Sequence, residues 1–153
     1  ASRAAQLCQK TNQFNTTTKR YTLDQLEKIN SSKGHVIMIG LESLNTQFEN
    51  IGLLVLENDL TDNNNTLLNL YLLSCRVLGR GLEKTCLAWC INYTHSLNYK
   101  YLKAKIKKNK KNVPVHTLFE DMKFEKQDEQ TWFVSTKDYK FENKVFEIEN
   151  HFI

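Results

Sequence analysis

Two glycines and two arginines lie close together in the run Arg76-Val77-Leu78-Gly79-Arg80-Gly81. An apolar run ends just before them and a helical apolar period starts just after them, so the run predicts a turn from a strand into a helix. The first N–H groups of a helix lack helical partners, and the helix dipole adds roughly half a positive charge at that end. Glycine lets a phosphate approach the main chain, while Arg76 and Arg80 add whole charges. We therefore expect an anion site here, suited to a diphosphate.

The spacing of this run excludes two common nucleotide-binding patterns. A Walker motif requires Gly-Lys followed by Ser or Thr, and the dinucleotide fingerprint requires three glycines in Gly-x-Gly-x-x-Gly; the run fits neither. The alternative interpretation is a tight turn whose glycines only allow the helix to pack against the strand. No metal is expected, because the four cysteines and four histidines follow neither the spacing of a zinc site nor that of a disulfide framework.

Apolar runs on both sides of the turn predict the strands of a sheet. The first two runs are apolar on both faces and predict neighbouring antiparallel strands, whereas a later alternating run predicts a half-exposed strand. In chain order the predicted strands cover residues 36–39, 51–56, 67–73 and 102–107, with a closing hairpin at 124 and 131–135.

Helical spacing and capping signals predict four helices, over residues 2–11, from 22 onward, over 82–97 and from 114 onward. Thr22 and Gln25 form a capping box, and Pro114 fits a first turn. The expected buried stripes are Cys86, Trp89, Tyr93 and Leu97 in the third helix, and Val115, Leu118, Phe119 and Met122 in the fourth. The predicted fold class is therefore α/β (α+β), with a mixed, mostly antiparallel sheet flanked by helices.

At 153 residues and 41% hydrophobic content, the chain is expected to form one domain over residues 1–153. Within it we expect an N-terminal linker and helix at 1–21 and a C-terminal tail or extra strand at 139–153. No apolar stretch reaches the ~18–20 residues of a membrane span, and the N-terminus lacks the apolar core of a signal peptide. A soluble, cytoplasmic protein is the expectation.

The glycine turn resembles the GNAT acyltransferase superfamily, in which Arg or Gln followed by x-x-Gly-x-Gly or Ala holds the pyrophosphate of coenzyme A. The resemblance implies a GNAT fold and a coenzyme A or acyl-CoA cofactor bound by residues 76–81. It also implies that the preceding residues Leu73, Ser74 and Cys75 pair their backbone with the pantetheine arm. The step Lys111-Asn112, followed by Pro114, looks like the closing motif of the family, which adds Asn112 to the expected cofactor contacts.

A narrower likeness covers residues 6–136. The run Gln9-Lys10-Thr11-Asn12-Gln13-Phe14-Asn15 with Thr17, Thr18 and Arg20, and the run from Leu73 to Glu83, resemble the C-terminal part of FkbH-like proteins. Those proteins join a haloacid-dehalogenase-type domain to a GNAT-like one and load a glyceryl unit onto an acyl carrier protein for polyketide assembly. The chain has no Asp-x-Asp-x-Thr motif, so it looks like one domain excised from a larger enzyme or synthase.

Two positions depart from the GNAT pattern. Phe119 stands where many GNAT enzymes carry a tyrosine proposed to protonate the departing thiolate, and Lys123 replaces the glycine usual before Phe124. Because a phenyl ring has no proton to donate, ordinary amine acetylation is not the leading expectation. The catalytic residue is not identified by the sequence.

Four side chains are catalytic candidates, each with an alternative. Cys75 is either a nucleophile beside a thioester or a small buried hydrophobe at a strand end. His116 is either a base or a surface histidine. Asn69 and Tyr71, expected on one strand face, either orient a water or thioester carbonyl or are polar positions on a partly covered face. Cys86 and Cys90 are expected to pack in the core.

Six lysines form a predicted basic edge: Lys103, Lys105, Lys107, Lys108, Lys110 and Lys111. Such an edge is usually a solvated surface, but beside a pantetheine channel it would attract an acidic acyl carrier protein. Nucleic acid fits less well, because no aromatic residues interleave with the lysines.

Three functions remain open. The first is a domain that handles an acyl thioester on coenzyme A or on carrier-protein phosphopantetheine and assists acyl transfer in polyketide-type biosynthesis. The second is a catalytically silent module that positions a carrier arm for a partner domain, such as the haloacid-dehalogenase-type domain of the parent protein. The third is a free-standing amine acetyltransferase.

Overall fold

A seven-stranded sheet forms the centre of the protein, in a computed structural model that describes residues 2–142 and 145–151. The strands are β1 (Phe14–Asn15), β2 (His35–Ser43), β3 (Thr46–Asn58), β4 (Asn65–Leu73), β5 (Tyr101–Lys105), β6 (Glu125–Asp128) and β7 (Thr131–Ser135). Their order across the sheet is β2-β3-β4-β5-β7-β6, with β1 paired to β4 outside this sequence of neighbours. Only β4 and β5 are parallel among the described pairs, so the prediction of a mixed, mostly antiparallel sheet is confirmed.

Helices cover both faces of this sheet. Helices α1 (Ser2–Lys10) and α2 (Leu23–Ser31) pack on one face, over a core that includes Leu53, Leu70 and Leu72. Helices α3 (Leu82–Ser96) and α4 (Leu118–Asp121) pack on the other face. The alternation of side chains along β3 and β4 explains why a run that is apolar at nearly every position serves two cores.

The starts of α2 and α3 follow from their first residues. Thr22 caps α2 by accepting the N–H of Gln25, while the Gln25 side chain accepts the N–H of Thr22, which is the predicted capping box. Gly81 stands before α3 at φ +85°, in the left-handed region that glycine adopts without strain. The chain can therefore turn sharply out of β4 and into α3.

Two helical predictions need correction. The segment after Pro114 forms a short 3₁₀ turn at Val113–Val115 and the one-turn helix α4, although the predicted stripe residues are all buried. In α3, Trp89, Tyr93 and Leu97 are only half-buried. The deepest positions are Leu87, Cys90, Ile91 and Thr94. Helical periodicity located α3 but misplaced the centre of its buried face, because large aromatic rings pack at the edge of a core as readily as inside it.

The C-terminal tail forms neither a strand nor a helix over residues 139–142 and 145–151. It crosses the α3 face of the sheet, where the Trp89 indole N–H donates to Asn150 Oδ1 at 2.7 Å and Phe146 packs against the core. The predicted tail at 139–153 falls partly on positions 143, 144, 152 and 153, which lie outside the described residues.

Candidate functional site

The glycine turn lies between β4 and α3, as predicted. Residues Cys75–Val77 form one 3₁₀ turn. Gly79 and Gly81 have positive φ angles of +86° and +85°. A Cβ added at either glycine would meet no heavy atom within 4 Å. The glycines are therefore required by backbone conformation and not by crowding, and the space beside them is open to a ligand.

One N–H of this turn already binds a negatively charged oxygen. The Gly79 N–H donates to Glu83 Oε1 at 2.9 Å, so a carboxylate from the first turn of α3 lies where an anionic ligand is expected. Carboxylate and phosphate oxygens share the same preference for backbone N–H groups at the start of a helix. The bond indicates that the turn accepts anions, and Glu83 is a neighbour that the motif alone does not predict.

The arginines of the turn are exposed. Arg76 forms an ion pair with Glu49 on β3, with the two side chains 66% and 45% exposed. Exposed pairs of this kind contribute about 0–1 kcal/mol, so Arg76 can exchange Glu49 for a phosphate at little cost. Arg80 forms no ion pair with any of the described residues.

The strands β4 and β5 pair only from Asn65 to Leu68, and a short segment of the α1–α2 connection fills the gap beyond. The N–H of Thr16 donates to the Tyr71 carbonyl at 3.1 Å, and the Thr16 carbonyl accepts the N–H of Lys107 at 2.8 Å. Thr16 thus bridges the two strands. The segment 14–17, which includes β1, is almost completely buried and is here called the gap segment.

The gap segment also covers the end of β4 that was expected to pair with pantetheine. Phe14 is the register partner of Leu73, and Asn15 is that of Leu72. Ser74 and Cys75 lie beyond this register. The role of Leu73, Ser74 and Cys75 in holding an arm remains a prediction, but Leu73 has a neighbouring strand on each side.

Asn69 and Tyr71 do not share a face of the sheet, contrary to the prediction. In the β3–β4 register Val55 opposes Leu70 and Leu56 opposes Leu68, so Asn69 is the extra residue of a β-bulge. A bulge shifts the alternation by one position, which turns the two side chains to opposite faces.

The two side chains consequently have separate partners. Asn69 Nδ2 donates to Glu57 Oε2 at 2.6 Å, and the same oxygen accepts the Tyr21 hydroxyl at 2.9 Å, on the α1/α2 side. The Tyr71 hydroxyl donates to the Glu83 carbonyl at 2.7 Å, on the α3 side. Complete burial raises the pKa of Tyr71 well above its usual value. Tyr71 therefore fastens α3 to the sheet and has no free hydroxyl.

Asn112 is fully buried and uses both ends of its amide. Its Nδ2 donates to the carbonyls of Asn15 and Lys107, each at 2.9 Å. Its Oδ1 accepts the N–H of Asn109 and lies 2.9 Å from His116 Nε2. Asn112 thus fastens the gap segment to the residues after β5, and its predicted contact with a cofactor is untested. His116 is half-buried, with its Nε2 engaged by this network.

The cysteines divide into two groups. Cys8, Cys86 and Cys90 are buried, which confirms that Cys86 and Cys90 pack in the core. Burial raises the pKa of both Cys86 and Cys90 to about 12. Cys75 is exposed on the 3₁₀ turn, so its interpretation as a small buried hydrophobe is wrong. Its proposed role as a nucleophile is untested.

The six lysines of the predicted basic edge separate into two sets. Lys103 lies 3.7 Å from Asp59 Oδ2, and Lys105 Nζ donates to Thr131 Oγ1 at 2.9 Å, so both side chains are engaged on β5. The other four follow β5 and are exposed: Lys107, Lys108, Lys110 and Lys111. The basic surface is therefore the loop after β5.

A cavity of about 630 Å³ lies between β2, α3 and the C-terminal tail, with Trp89, Tyr93 and Phe146 in its wall. Leu82, the residue that follows the glycine turn, also lines it. A second cavity of about 320 Å³ lies between the α1–α2 connection and the loop after β5. None of residues 76–81 lines either cavity, which leaves the turn as an open surface site.

Among the described residues, no group of three or more His, Cys, Asp or Glu side chains has the arrangement of a metal site. The helices in the described part of the chain are too short or too polar to span a membrane.

Comparison with solved structures shows that the chain has the fold of GNAT-family acetyltransferases. A putative GNAT-family acetyltransferase from Desulfovibrio desulfuricans matches with a TM-score of 0.55 and 11% identity, over 67% of this chain and 69% of the other. A GNAT-family acetyltransferase from Staphylococcus aureus Mu50 matches with a TM-score of 0.58 and 16% identity, over 75% and 76%.

A GNAT-family acetyltransferase from Elizabethkingia anophelis, solved with acetyl-CoA bound, matches with a TM-score of 0.53 and 18% identity, over 70% of this chain and 63% of the other. No protein-family model and no curated protein matches the sequence. The evidence for the GNAT fold is therefore structural.

Proposed function

We propose that this domain binds an acyl thioester of coenzyme A or of carrier-protein phosphopantetheine at the glycine turn, residues 76–81, and assists acyl transfer. The observation that supports this most directly is the geometry of Gly79 and Gly81. Both have positive φ, both leave open space where a Cβ would lie, and the Gly79 N–H already binds a carboxylate oxygen. A diphosphate would replace that carboxylate, with Arg76 and Arg80 supplying two positive charges.

The side chains of Tyr71 and Phe119 supply no proton to a departing thiolate. Tyr71 donates its hydroxyl to a carbonyl, and Phe119 is buried against Phe124 with a ring-centroid distance of 5.1 Å. Neither side chain can protonate a leaving group. In transfer between two thiols, the incoming thiolate sulfur bonds to the carbonyl carbon while the bond to the departing sulfur breaks. The departing thiolate is itself stable, with an ordinary pKa of about 8.5, and takes its proton from water.

This reaction fits the resemblance to FkbH-like proteins, in which a carrier-protein thiol receives an acyl group for polyketide assembly. The second candidate is a binding module that only positions a carrier arm for a partner domain. The same observation favours it, because a module without chemistry also needs no proton donor. Single-turnover transfer from acetyl-CoA to a carrier-protein thiol distinguishes the two.

Calorimetric titration with coenzyme A tests the shared step, which is binding at the turn. Gly79→Asn is the informative variant, since asparagine tolerates positive φ and its side chain would extend into the ligand space. We expect at least about tenfold weaker binding, because the phosphate could no longer approach the main chain. Asn98→Gly, at another position with positive φ, is the control and should bind as the unmodified protein does.

Unchanged affinity in the Gly79→Asn variant, with the fold intact by circular dichroism, would show that coenzyme A does not use the turn. No binding of coenzyme A to the unmodified domain would remove the acyl-CoA branch of the proposal. Titration with a phosphopantetheinylated carrier protein would then decide whether the arm is bound.

A further inference from the structure

The second cavity, of about 320 Å³, is lined by polar and basic side chains and is here called the basic cavity. Its lining consists of Asn12, Thr18, Arg20, Asn109, Lys110 and Lys111. It lies between the α1–α2 connection and the loop after β5, and none of residues 76–81 lines it. The two anion-binding features are therefore distinct.

Three cations line the basic cavity, and none of them pairs with a carboxylate among residues 2–142 and 145–151. Arg20 is held by neutral oxygens only. Its Nη1 donates to the carbonyls of Cys8 and Thr11, at the C-terminal end of α1, and its Nη2 donates to Asn12 Oδ1. Carbonyl and amide oxygens orient a guanidinium without cancelling its charge, so the positive charge of Arg20 remains available.

The first wall of the cavity is fixed by a buried amide. Asn15 Oδ1 accepts the N–H of Thr18 at 2.8 Å and that of Thr17 at 3.3 Å. This turn holds Thr18 at φ +56°, a conformation that a β-branched residue rarely adopts. Thr18 is therefore kept at the cavity by its surroundings and not by its own preference.

The second wall is fixed by a reciprocal pair of asparagines. Asn109 Oδ1 accepts the N–H groups of Lys111 and Asn112, while Asn112 Oδ1 accepts the N–H of Asn109. The two walls are joined by the bond from Asn112 Nδ2 to the Asn15 carbonyl at 2.9 Å. The cavity is thus preorganised, and little ordering is required when a ligand enters.

We infer that the basic cavity binds a phosphate group. Its volume is at the lower end of the range of small-molecule sites, about 300–1,000 Å³, which suits a phosphate ester and not a whole nucleotide. Arg20, Lys110 and Lys111 supply the charge, and the side-chain NH2 groups of Asn12 and Asn109 are hydrogen-bond donors at its wall. The source of the phosphate rests on the proposed function: coenzyme A occupies the glycine turn as the acyl donor, so the phosphate in the basic cavity is the phosphodiester of the acceptor carrier protein's pantetheine arm.

Amide NMR spectra of the labelled domain, titrated with inorganic phosphate, test the site directly. We expect the amide chemical shifts of Thr18 and Lys111 to change and to saturate at the same phosphate concentration. Phosphate should bind more weakly at about 0.15 M salt than at low salt. Titration with 4′-phosphopantetheine and with pantetheine then tests the source. The phosphorylated compound should bind about tenfold more tightly or better, since only it carries the anion.

A pair of charge-matched double variants separates a built site from general attraction. Lys110→Ala with Lys111→Ala removes two cations from the cavity, and we expect phosphate affinity to fall about fivefold to tenfold. Lys107→Ala with Lys108→Ala removes the same charge from the same loop outside the cavity, and the affinity should stay within about twofold. Equal losses in the two double variants, or phosphate shifts at Gly79 and Gly81 without shifts at Thr18, would overturn the inference.

The outcomes also separate this inference from the proposed function. Phosphate binding at Thr18 without any coenzyme A binding would support the cavity and contradict the acyl-CoA site. Coenzyme A binding at Gly79 with no phosphate response at Thr18 would support the acyl-CoA site and contradict phosphate binding in the cavity. Equal affinities for 4′-phosphopantetheine and pantetheine, with phosphate still bound, would support the cavity as a phosphate site and assign it to another phosphate ester.

Discussion

Replacing Asn112 with alanine should destabilise the folded protein even when no ligand is bound, because its side chain has a structural role. Four hydrogen-bonding contacts of its amide involve Asn15, Lys107, Asn109 and His116, and the side chain is fully buried. Each such bond contributes about 1 kcal/mol net, so we expect a loss of about 3–4 kcal/mol. For a protein of this size, that loss lowers Tm by roughly 10 °C.

Thermal unfolding followed by circular dichroism measures this shift. Asn92→Ala is the matched control, since Asn92 is exposed on α3 and its removal should change Tm by no more than about 2 °C. If Asn112→Ala kept the Tm of the unmodified protein and only weakened coenzyme A binding, the structural role would be refuted. The contact implied by the GNAT resemblance would then be the better account.

Three further changes test other features. Burial would raise the pKa of Asp59, but hydrogen bonds from its neighbours and the charge of the nearby lysine lower it to about 2. The ionised carboxylate therefore stabilises the fold above the unfolded pKa of 3.8, and this stabilisation is lost as the pH falls toward 2. Urea unfolding measures the free energy of unfolding that is lost between pH 5 and pH 2.5, and this loss should be roughly 1.5 kcal/mol smaller in Asp59→Asn than in the unmodified protein. Asp62→Asn is the control, and an equal loss in the two variants would contradict the prediction. Lys123→Gly should stabilise the protein by roughly 0.5–1 kcal/mol in urea, because Lys123 has φ +68°, and a loss of stability would show that strain is not what limits this position. Tyr71→Phe should lower stability by about 1 kcal/mol and leave the rate constant of acyl transfer unchanged within a factor of about two, whereas a large loss of rate would restore Tyr71 as a catalytic candidate.

Local patterns were sufficient for strands β2, β3, β4, β5 and β7, for the starts of α1, α2 and α3, and for the glycine turn, because each depends on residues close in sequence. The capping box at Thr22 and the alternation from Leu102 to Lys107 are of this kind. The bulge at Asn69 is not, because it is set by the register with β3. Alternation alone therefore placed Asn69 and Tyr71 on the same face.

The gap segment could not be predicted for a related reason. Nothing in its run of Asn and Thr is periodic or apolar enough to indicate a buried strand, apart from Phe14. Its partners lie far away in sequence: Thr17 bonds to Asn69, Thr16 to Tyr71 and Lys107, and Asn15 to Asn112. Polar side chains of this kind are buried only where distant residues satisfy them, and that information is absent from any short window.

The gap segment also decides how far a pantetheine arm can extend along β4. To pair with Leu72 and Leu73, the arm would have to displace the segment 14–17. Besides the β1–β4 pairing, displacement breaks five bonds: Thr16 N–H to Tyr71, Lys107 N–H to Thr16, Tyr71 N–H to Thr16 Oγ1, Thr17 Oγ1 to Asn69 and Asn112 Nδ2 to Asn15. At about 1 kcal/mol each, their loss would weaken binding by about 10³-fold or more.

We therefore expect the segment to stay in place and the arm to contact Ser74 and Cys75 only. Hydrogen exchange with and without saturating coenzyme A measures this. The amides of Thr16 and Lys107 should keep their protection, while that of Gly79 becomes more protected as phosphate replaces the Glu83 carboxylate. Faster exchange at Thr16 on binding would show that the arm displaces the segment. New contacts of the ligand along β4 would then compensate for the loss of those five bonds.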